Sequence, residues 1–187
     1  MASREAIMSG SCMFPPRKRS RETGARHDAA DHPSEHDRLP YLGDFGFDGL
    51  EHLTLDLSRC ICAGYASEHI GPWEDACRLA DERLGPVDGP AFLARALMLV
   101  RAVLNERKRG FCFMPLGCKR ISEDEQVLMA VVHAARSAGG VENLEIDGLA
   151  TSAPPARTML AARALAALCL RYQATSSGHF AAPRTLN

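Results

Sequence analysis

The sequence has few aromatic residues and no excess of charge of either sign. Aromatic residues make up 6% of the 187 positions, and Trp73 is the single tryptophan. So few rings disfavour modules that bind nucleic acid by stacking bases on aromatic side chains. The 22 lysines and arginines balance 23 acidic residues. This balance argues against a charge-driven role of the whole chain on nucleic acid or on a membrane surface.

Long apolar runs are also missing. No window approaches 18 consecutive apolar residues, so no membrane-spanning helix is predicted. Residues 1–5 lead into no apolar stretch, and a secretory signal of the Sec type is therefore not expected. Seven cysteines at irregular spacings favour a reducing compartment, in which most of them act as small buried apolar groups. We therefore expect a cytoplasmic protein, or a nuclear one if the host cell is eukaryotic.

Familiar catalytic and phosphate-binding motifs do not occur. No Gly-x-Gly-x-x-Gly follows a strand-like segment, and there is no Walker-type loop, His-Glu-x-x-His or Gly-x-Ser-x-Gly. No nucleophile lies at a spacing that ties it to His133. We therefore favour a protein that is not an enzyme and assign no catalytic residue, while an activity of an unrecognised type stays open.

Helical patterns fill the middle of the chain. Pro72 opens a helix that ends at Gly85-Pro86, and Gly89-Pro90 opens another that ends in cations before Gly110. Ser122 with an acid three residues later forms a capping-box pattern in front of a third helix. A further helix follows Pro154-Pro155 and runs to about residue 172.

One earlier segment is ambiguous. Residues 53–57 alternate between leucine and polar residues, which is typical of a strand, yet apolar residues from 50 to 64 also fit a helix. The length of the segment favours a helix. The helices at 90–109 and 155–172 are apolar round most of their circumference and are predicted to lie in the middle of the bundle.

The ends differ from the middle in composition. Residues 1–39 are rich in Arg, Ser, His, Asp and Pro and show no apolar period, and residues 174–187 are similar. Too little apolar surface is available there to offset the entropy of ordering the backbone. We therefore predict an all-α bundle of four to five helices spanning 40–173, with disordered N-terminal and C-terminal tails at 1–39 and 174–187.

The loop at 110–120 is unusual because it carries apolar groups where polar turn residues are common. Phe111, Phe113, Met114 and Leu116 follow one another closely. Either the loop folds back and closes the end of the bundle, or it offers an adaptable apolar patch to a partner. Cations on both sides of the loop form a basic rim that would steer an acidic partner. The rim consists of Arg107, Lys108, Arg109, Lys119 and Arg120.

The apolar loop and the cations on both sides of it together lead to a functional hypothesis. We expect a small non-enzymatic regulatory or adaptor protein that acts by protein–protein contact through the apolar loop and its basic rim. The partner is a protein of unknown identity. The predicted contact residues are Phe111, Phe113, Met114, Lys119, Arg120 and Arg109.

A cysteine-based redox or metal sensor is one alternative. Cys60, Cys62, Cys112 and Cys118 would supply four thiolates to zinc if the two segments met, although neither spacing matches a zinc knuckle. The adaptor hypothesis requires no cofactor. Cys118 is also the candidate reactive thiol, because two cations follow it and a helix begins nearby, and both features favour the thiolate.

A second alternative is a regulator that associates with nucleic acid. Four cations lie close together after Pro15-Pro16, and such a cluster binds phosphates or serves as a nuclear import signal. A solvated tail without such a role is the competing interpretation. The four are Arg17, Lys18, Arg19 and Arg21.

Overall fold

The computed structural model describes residues 38–107, 110–137 and 156–179. Four helices and no β-strand occur in this part of the chain, which confirms the predicted all-α bundle. A 3-10 turn at Leu42–Phe45 precedes the first helix. The helices are α1, Gly49–Ala66; α2, Gly71–Glu106; α3, Glu123–Arg136; and α4, Ala156–His179.

Several sequence predictions fall outside these residues. They include most of both predicted tails, at 1–37 and 180–187, and with them the basic cluster of Arg17, Lys18, Arg19 and Arg21. Lys108 and Arg109 lie outside as well. The backbone of α4 continues to His179, past residue 172 where the helix was expected to end.

Helix α2 is broken where the sequence predicted a boundary between two helices. Gly85 has φ 79° and ψ 169°, a backbone conformation that glycine adopts without a steric penalty. Pro86 follows the break directly, at the first position of the second part, where its missing N–H group costs little. Pro90 lies one turn further along the helix. A Cβ atom on Gly89 would lie 2.8 Å from the Ala80 carbonyl carbon, so the two parts approach closely at the bend.

Helix α1 is the most enclosed helix of the described bundle, and this differs from the expected arrangement. Of its 18 residues 11 are buried, including Leu55, Leu57 and Ile61 with no exposed surface. Helices α2 and α4 each keep a solvent face, on which Met98 and Leu160 are exposed. The prediction that the helices at 90–109 and 155–172 lie in the middle of the bundle was therefore wrong. Their apolar composition did not require full burial, because a solvent-exposed helix face tolerates alanines and single large apolar residues.

A close contact fixes the junction of α1 and α2. A Cβ atom on Gly64 would lie 2.5 Å from Cε2 of Trp73. The same indole meets the ring of Tyr65 edge to face, with centroids 5.4 Å apart. Trp73 therefore packs directly on the α1 backbone, and only glycine leaves room for it.

We predict that Gly64→Ala destabilises the protein by about 1–3 kcal/mol, because the methyl group forces the indole out of its position. Gly49→Ala, in the first turn of the same helix, is the matched control because nothing lies within 4 Å of the position of its Cβ. Urea unfolding followed by Trp73 fluorescence measures both. Equal stability of the two variants would show that Trp73 does not pack on Gly64.

Candidate functional site

A buried ion pair joins α1 to α3 beneath the loop at 110–120. Arg59 and Glu125 face each other with 1% of each side chain exposed. Nε of Arg59 donates to Oε1 of Glu125 at 2.8 Å, and Nη2 donates to Oε2 at 3.1 Å. Two parallel hydrogen bonds of this kind fix the orientation of both side chains.

The remaining donors of Arg59 hold the end of the loop. Nη1 donates to the Cys118 carbonyl oxygen at 2.9 Å, and Nη2 donates to the Arg120 carbonyl oxygen at 2.7 Å. These carbonyl groups belong to a segment that is neither helix nor strand, and buried carbonyl groups require hydrogen-bond donors. Arg59 thus takes the place of a backbone partner for the loop.

Glu125 holds the loop at two further points. Oε1 accepts a hydrogen bond from the Met114 amide at 3.0 Å, and Oε2 accepts one from the Ser122 amide at 3.0 Å. The Ser122 hydroxyl accepts from the Glu125 amide in return, which completes the predicted capping box. The capping-box glutamate is therefore also the partner of the buried arginine.

The start of the loop has its own ion pair. Arg107 donates to Asp124 at 2.6 Å, with 2% and 8% of the two side chains exposed. Asp124 also accepts a hydrogen bond from the Cys112 amide at 2.7 Å. The Arg107 guanidinium lies 5.2 Å from the centroid of the Phe111 ring. Two charged pairs on neighbouring residues of α3 therefore anchor both ends of the loop.

The segment before the 3-10 turn runs antiparallel to the loop. The Leu42 amide donates to the Lys119 carbonyl at 2.8 Å, and the Ile121 amide donates to the Pro40 carbonyl at 3.2 Å. The Arg120 guanidinium lies 3.6 Å from the centroid of the Tyr41 ring, and this side chain also donates to the Leu39 carbonyl. The loop thus positions residues 39–42.

The apolar residues of the loop turn towards the bundle. Met114 is 2% exposed, while Phe111 and Phe113 are partly buried and pack against the core. Of the two arrangements that the sequence allowed, the structure has the one in which the loop covers the bundle end. The exposed tip consists of Pro115, Leu116 and Gly117.

Among the described residues, only part of the predicted basic rim is exposed to solvent. Lys119 is exposed, whereas Arg107 is buried against Asp124 and Arg120 lies on Tyr41. The contact residue Arg109 stays a prediction because it lies outside the described residues.

A cleft of about 430 Å³ opens between the loop tip, the 3-10 turn and α1. One wall is the turn segment, the other is the exit of the loop, and α1 forms the base. This cleft contains predicted site residues, Cys118 and Lys119, together with residues that the sequence did not single out. Its lining residues are Tyr41, Leu42, Gly43, His52, Asp56, Arg59, Gly117, Cys118 and Lys119.

Asp56 is the acidic group of the cleft. Burial raises the pKa of its carboxyl group, while the charges of Arg59 and His52 act in the opposite direction. His52 lies one turn before it on α1, and the ring of Phe47 meets the imidazole edge to face at 6.0 Å. Phe47 in turn stacks on Phe45 at 5.5 Å. A row of aromatic rings therefore leads from the surface to the cleft.

The cysteines of the predicted metal site are divided between core and loop. Cys60 and Cys62 are buried on α1, where burial raises the pKa of both thiols, that of Cys60 to about 11. Cys112 lies at the start of the loop, and Cys118 lies in the cleft wall, where its Sγ accepts a hydrogen bond from the Arg120 amide at 3.4 Å. Within 38–107, 110–137 and 156–179, no three His, Cys, Asp or Glu side chains are placed to hold a metal ion together. Zinc binding and the reactivity of Cys118 stay predictions.

A second ionic cluster ties the start of α1 to the end of α3. Arg136 donates two hydrogen bonds to Asp48 and lies 3.2 Å from Glu51. His133 Nδ1 lies 2.9 Å from the same Glu51 carboxylate. Asp48 also caps α1 by accepting from the amides of Leu50 and Glu51. The hydrogen bond from Arg136 and those from the α1 amides lower the pKa of Asp48, against a smaller effect of burial.

Comparisons with known proteins do not assign this arrangement. No protein family, no curated protein and no solved structure matches the chain. None of the described helices has the length and apolarity that crossing a bilayer requires. Functional inference therefore rests on the geometry of the cleft.

We predict that Asp48→Asn lowers the stability at neutral pH, because asparagine keeps the helix cap and loses the attraction to Arg136. The effect is at most about 1 kcal/mol, since the pair is partly exposed to solvent. A depressed carboxyl pKa stabilises the folded state above the unfolded pKa, and the contribution is lost as pH falls through the folded pKa. The difference between the two proteins should therefore vanish in acid.

Urea unfolding at neutral pH and at a pH below both pKa values measures this difference. Asp88→Asn is the control, because Asp88 is exposed near the bend of α2. A destabilisation by Asp48→Asn that persists unchanged in acid would mean that the charge of Asp48 is not its cause.

Proposed function

We propose that the chain is a small non-enzymatic regulatory or adaptor protein that binds a protein partner at the face around the cleft. One observation carries the proposal: three large apolar side chains are exposed where the turn and the loop tip border the cleft. Tyr41 is 52% exposed, Leu116 is 40% exposed and Phe45 is 39% exposed. We call these residues, with Lys119, the cleft rim.

Grouped apolar groups beside a concave site are typical of interaction surfaces, whereas isolated exposed apolar residues are ordinary. Aromatic residues in particular dominate the binding energy of protein interfaces. Tyr41 lines the cleft itself, while Phe45 and Leu116 lie one or two positions from the lining residues Gly43 and Gly117. The cleft is large enough for a side chain of the partner. This combination favours a contact surface over a purely structural role.

The support beneath the rim also favours binding. Arg120 holds Tyr41 through its ring, and Leu42 is bonded to the backbone of Lys119. Leu116 lies between Met114 and Cys118, which are bonded to Glu125 and Arg59 respectively. A surface that is already ordered loses less conformational entropy when a partner binds.

The proposed surface differs from the one that the sequence suggested. Phe111, Phe113 and Met114 support the loop from below and do not form the contact surface. Lys119 keeps its proposed role, because an exposed cation at the rim accelerates encounter with an acidic partner in a salt-dependent manner. Arg120 takes a positioning role under Tyr41.

We predict that a photo-crosslinkable residue in place of Leu116 captures a specific partner from host extract. The same residue in place of Val87, which is 81% exposed on α2, is the matched control. Val87 is the more exposed of the two positions, so weaker labelling there cannot come from poorer access, and only Leu116 belongs to the rim. The partner should therefore appear in the Leu116 adducts and be absent from the Val87 adducts.

Affinity measurements with the purified partner complete the test. Leu116→Glu and Phe45→Glu should each weaken binding about tenfold or more, the range of an interface hot spot. Val87→Glu should leave the affinity unchanged. Equal adducts at both positions, or an affinity that does not respond to the two rim substitutions, would contradict the proposal.

A further inference from the structure

The outer surfaces of α2 and α4 are neighbours on the bundle. The two helices pack against each other, and the end of α2 meets the start of α4. The Glu106 carboxylate accepts hydrogen bonds from the Arg157 and Thr158 amides at 2.8 Å and 2.9 Å. The part of α2 that follows the bend at Gly85 therefore lies beside α4, and the solvent-exposed sides of the two helices adjoin.

Exposed positions follow the same spacing on both helices, alternating between steps of three and four residues. On α2 they are Ala91, Ala94, Met98, Arg101 and Asn105. On α4 they are Ala156, Leu160, Arg163, Ala167 and Leu170. We call these ten residues the α2–α4 face. Seven of the ten are apolar, whereas the solvent side of an ordinary surface helix is polar or charged.

The large apolar residues of the α2–α4 face are strongly exposed. Leu160 is 72% exposed, Met98 is 55% exposed and Leu170 is 53% exposed. The alanines between them leave room for another helix to approach closely, and steps of three and four are those by which helices pack on one another. One such residue is ordinary on any surface, but three on two adjoining helices indicate a place for a helical partner.

The charge around this face is of one sign. Residues 89–105 and 156–179 contain no aspartate or glutamate, although the chain has 23 of them. The same two stretches contain five exposed arginines, on the face or directly beside it. These are Arg95, Arg101, Arg157, Arg163 and Arg171. A partner that binds here therefore needs acidic groups for charge complementarity.

The other kinds of occupant fit less well. A second copy of the same face would bring arginines against arginines. Nucleic acid offers phosphates to the arginines, but its interfaces with proteins are polar and leave the exposed leucines and methionine without partners. An anionic membrane surface suits both kinds of group, yet the alanines add little to insertion and favour close helix contact.

We propose that the α2–α4 face binds an acidic amphipathic helix of a partner protein. The apolar side of that helix would contact Met98, Leu160 and Leu170, and its carboxylates would pair with the arginines. No residue of this face belongs to the cleft rim. The proposal therefore goes beyond the proposed function and does not depend on it. With both surfaces occupied, the chain would join two partners.

A synthetic helical peptide of about three heptads, with leucine at the two seam positions and glutamate at the flanking ones, is the probe. The same peptide with lysine in place of each glutamate is its control. Calorimetry with the full-length protein should show the acidic peptide binding about tenfold or more tightly than the control, and added salt should weaken it. Methyl NMR should show shifts at Met98, Leu160 and Leu170 and none at Leu116.

Substitutions on the protein separate the two contributions. The double variant Arg95→Glu, Arg101→Glu should bind the acidic peptide about tenfold or more weakly and gain affinity for the lysine peptide, whereas Arg83→Glu, before the bend, should change neither. Leu160→Ser should weaken binding of the acidic peptide by a similar factor. Its matched control is Ile70→Ser, because Ile70 is 69% exposed and lies outside the face.

No measurable binding of the acidic peptide, equal binding of the two peptides, or binding that survives the face substitutions would overturn the proposal. Sedimentation of the protein with phosphatidylserine vesicles that Leu160→Ser abolishes would overturn it in favour of a membrane surface. A dimer in analytical ultracentrifugation that the same substitution dissociates would overturn it in favour of a second copy. Capture at Leu116 uses neither peptide nor face, so the proposed function and this proposal fail separately.

Discussion

The buried pair of Arg59 and Glu125 is the constraint on which the arrangement of the bundle end depends. A charged side chain with 1% of its surface exposed is strongly destabilising unless its charge is balanced and its hydrogen bonds are satisfied. Two loop carbonyls and two loop amides meet this requirement, and they lie on both sides of the loop tip. A buried pair contributes little net stability compared with apolar packing, but it tolerates few geometries. Hydrogen bonds to this pair therefore determine the position of the loop. Breaking any one of them would leave a buried polar group without its partner, which is strongly destabilising.

The surface features follow from this constraint. Because the pair draws Met114 inward, the apolar residues of the loop close the core, and Leu116 remains at the tip. Because the loop exit is fixed, its backbone pairs with residues 40–42, and the ring of Tyr41 rests on Arg120. The cleft is the space left between these two segments and α1. The position of the cleft rim, and that of residues 39–40 before it, thus depends on the buried pair of Arg59 and Glu125.

Local sequence patterns predicted the parts of this structure that depend on local interactions. The helix boundaries around Gly85 and Ser122 were readable because turn residues and capping boxes act over a few positions. The pairing of Arg59 with Glu125 spans 66 positions, and neither residue has a local signal of it. One clue was present: an arginine among the apolar residues of a helix that would otherwise be buried needs a partner. The inward turn of the loop, the cleft with Asp56 and the central place of α1 all depend on that distant pairing, so the sequence left them open.

Native-state hydrogen exchange of the Met114 and Ser122 amides tests this account most directly, since both donate to Glu125. If the pair holds the loop, both amides exchange slowly in the unaltered protein, at rates near those of core amides such as that of Ile61. In Arg59→Met, their protection should fall about tenfold or more beyond the change at Leu99, which reports on the overall stability. Exchange of Met114 and Ser122 at the rates of an unstructured peptide in the unaltered protein would contradict the account.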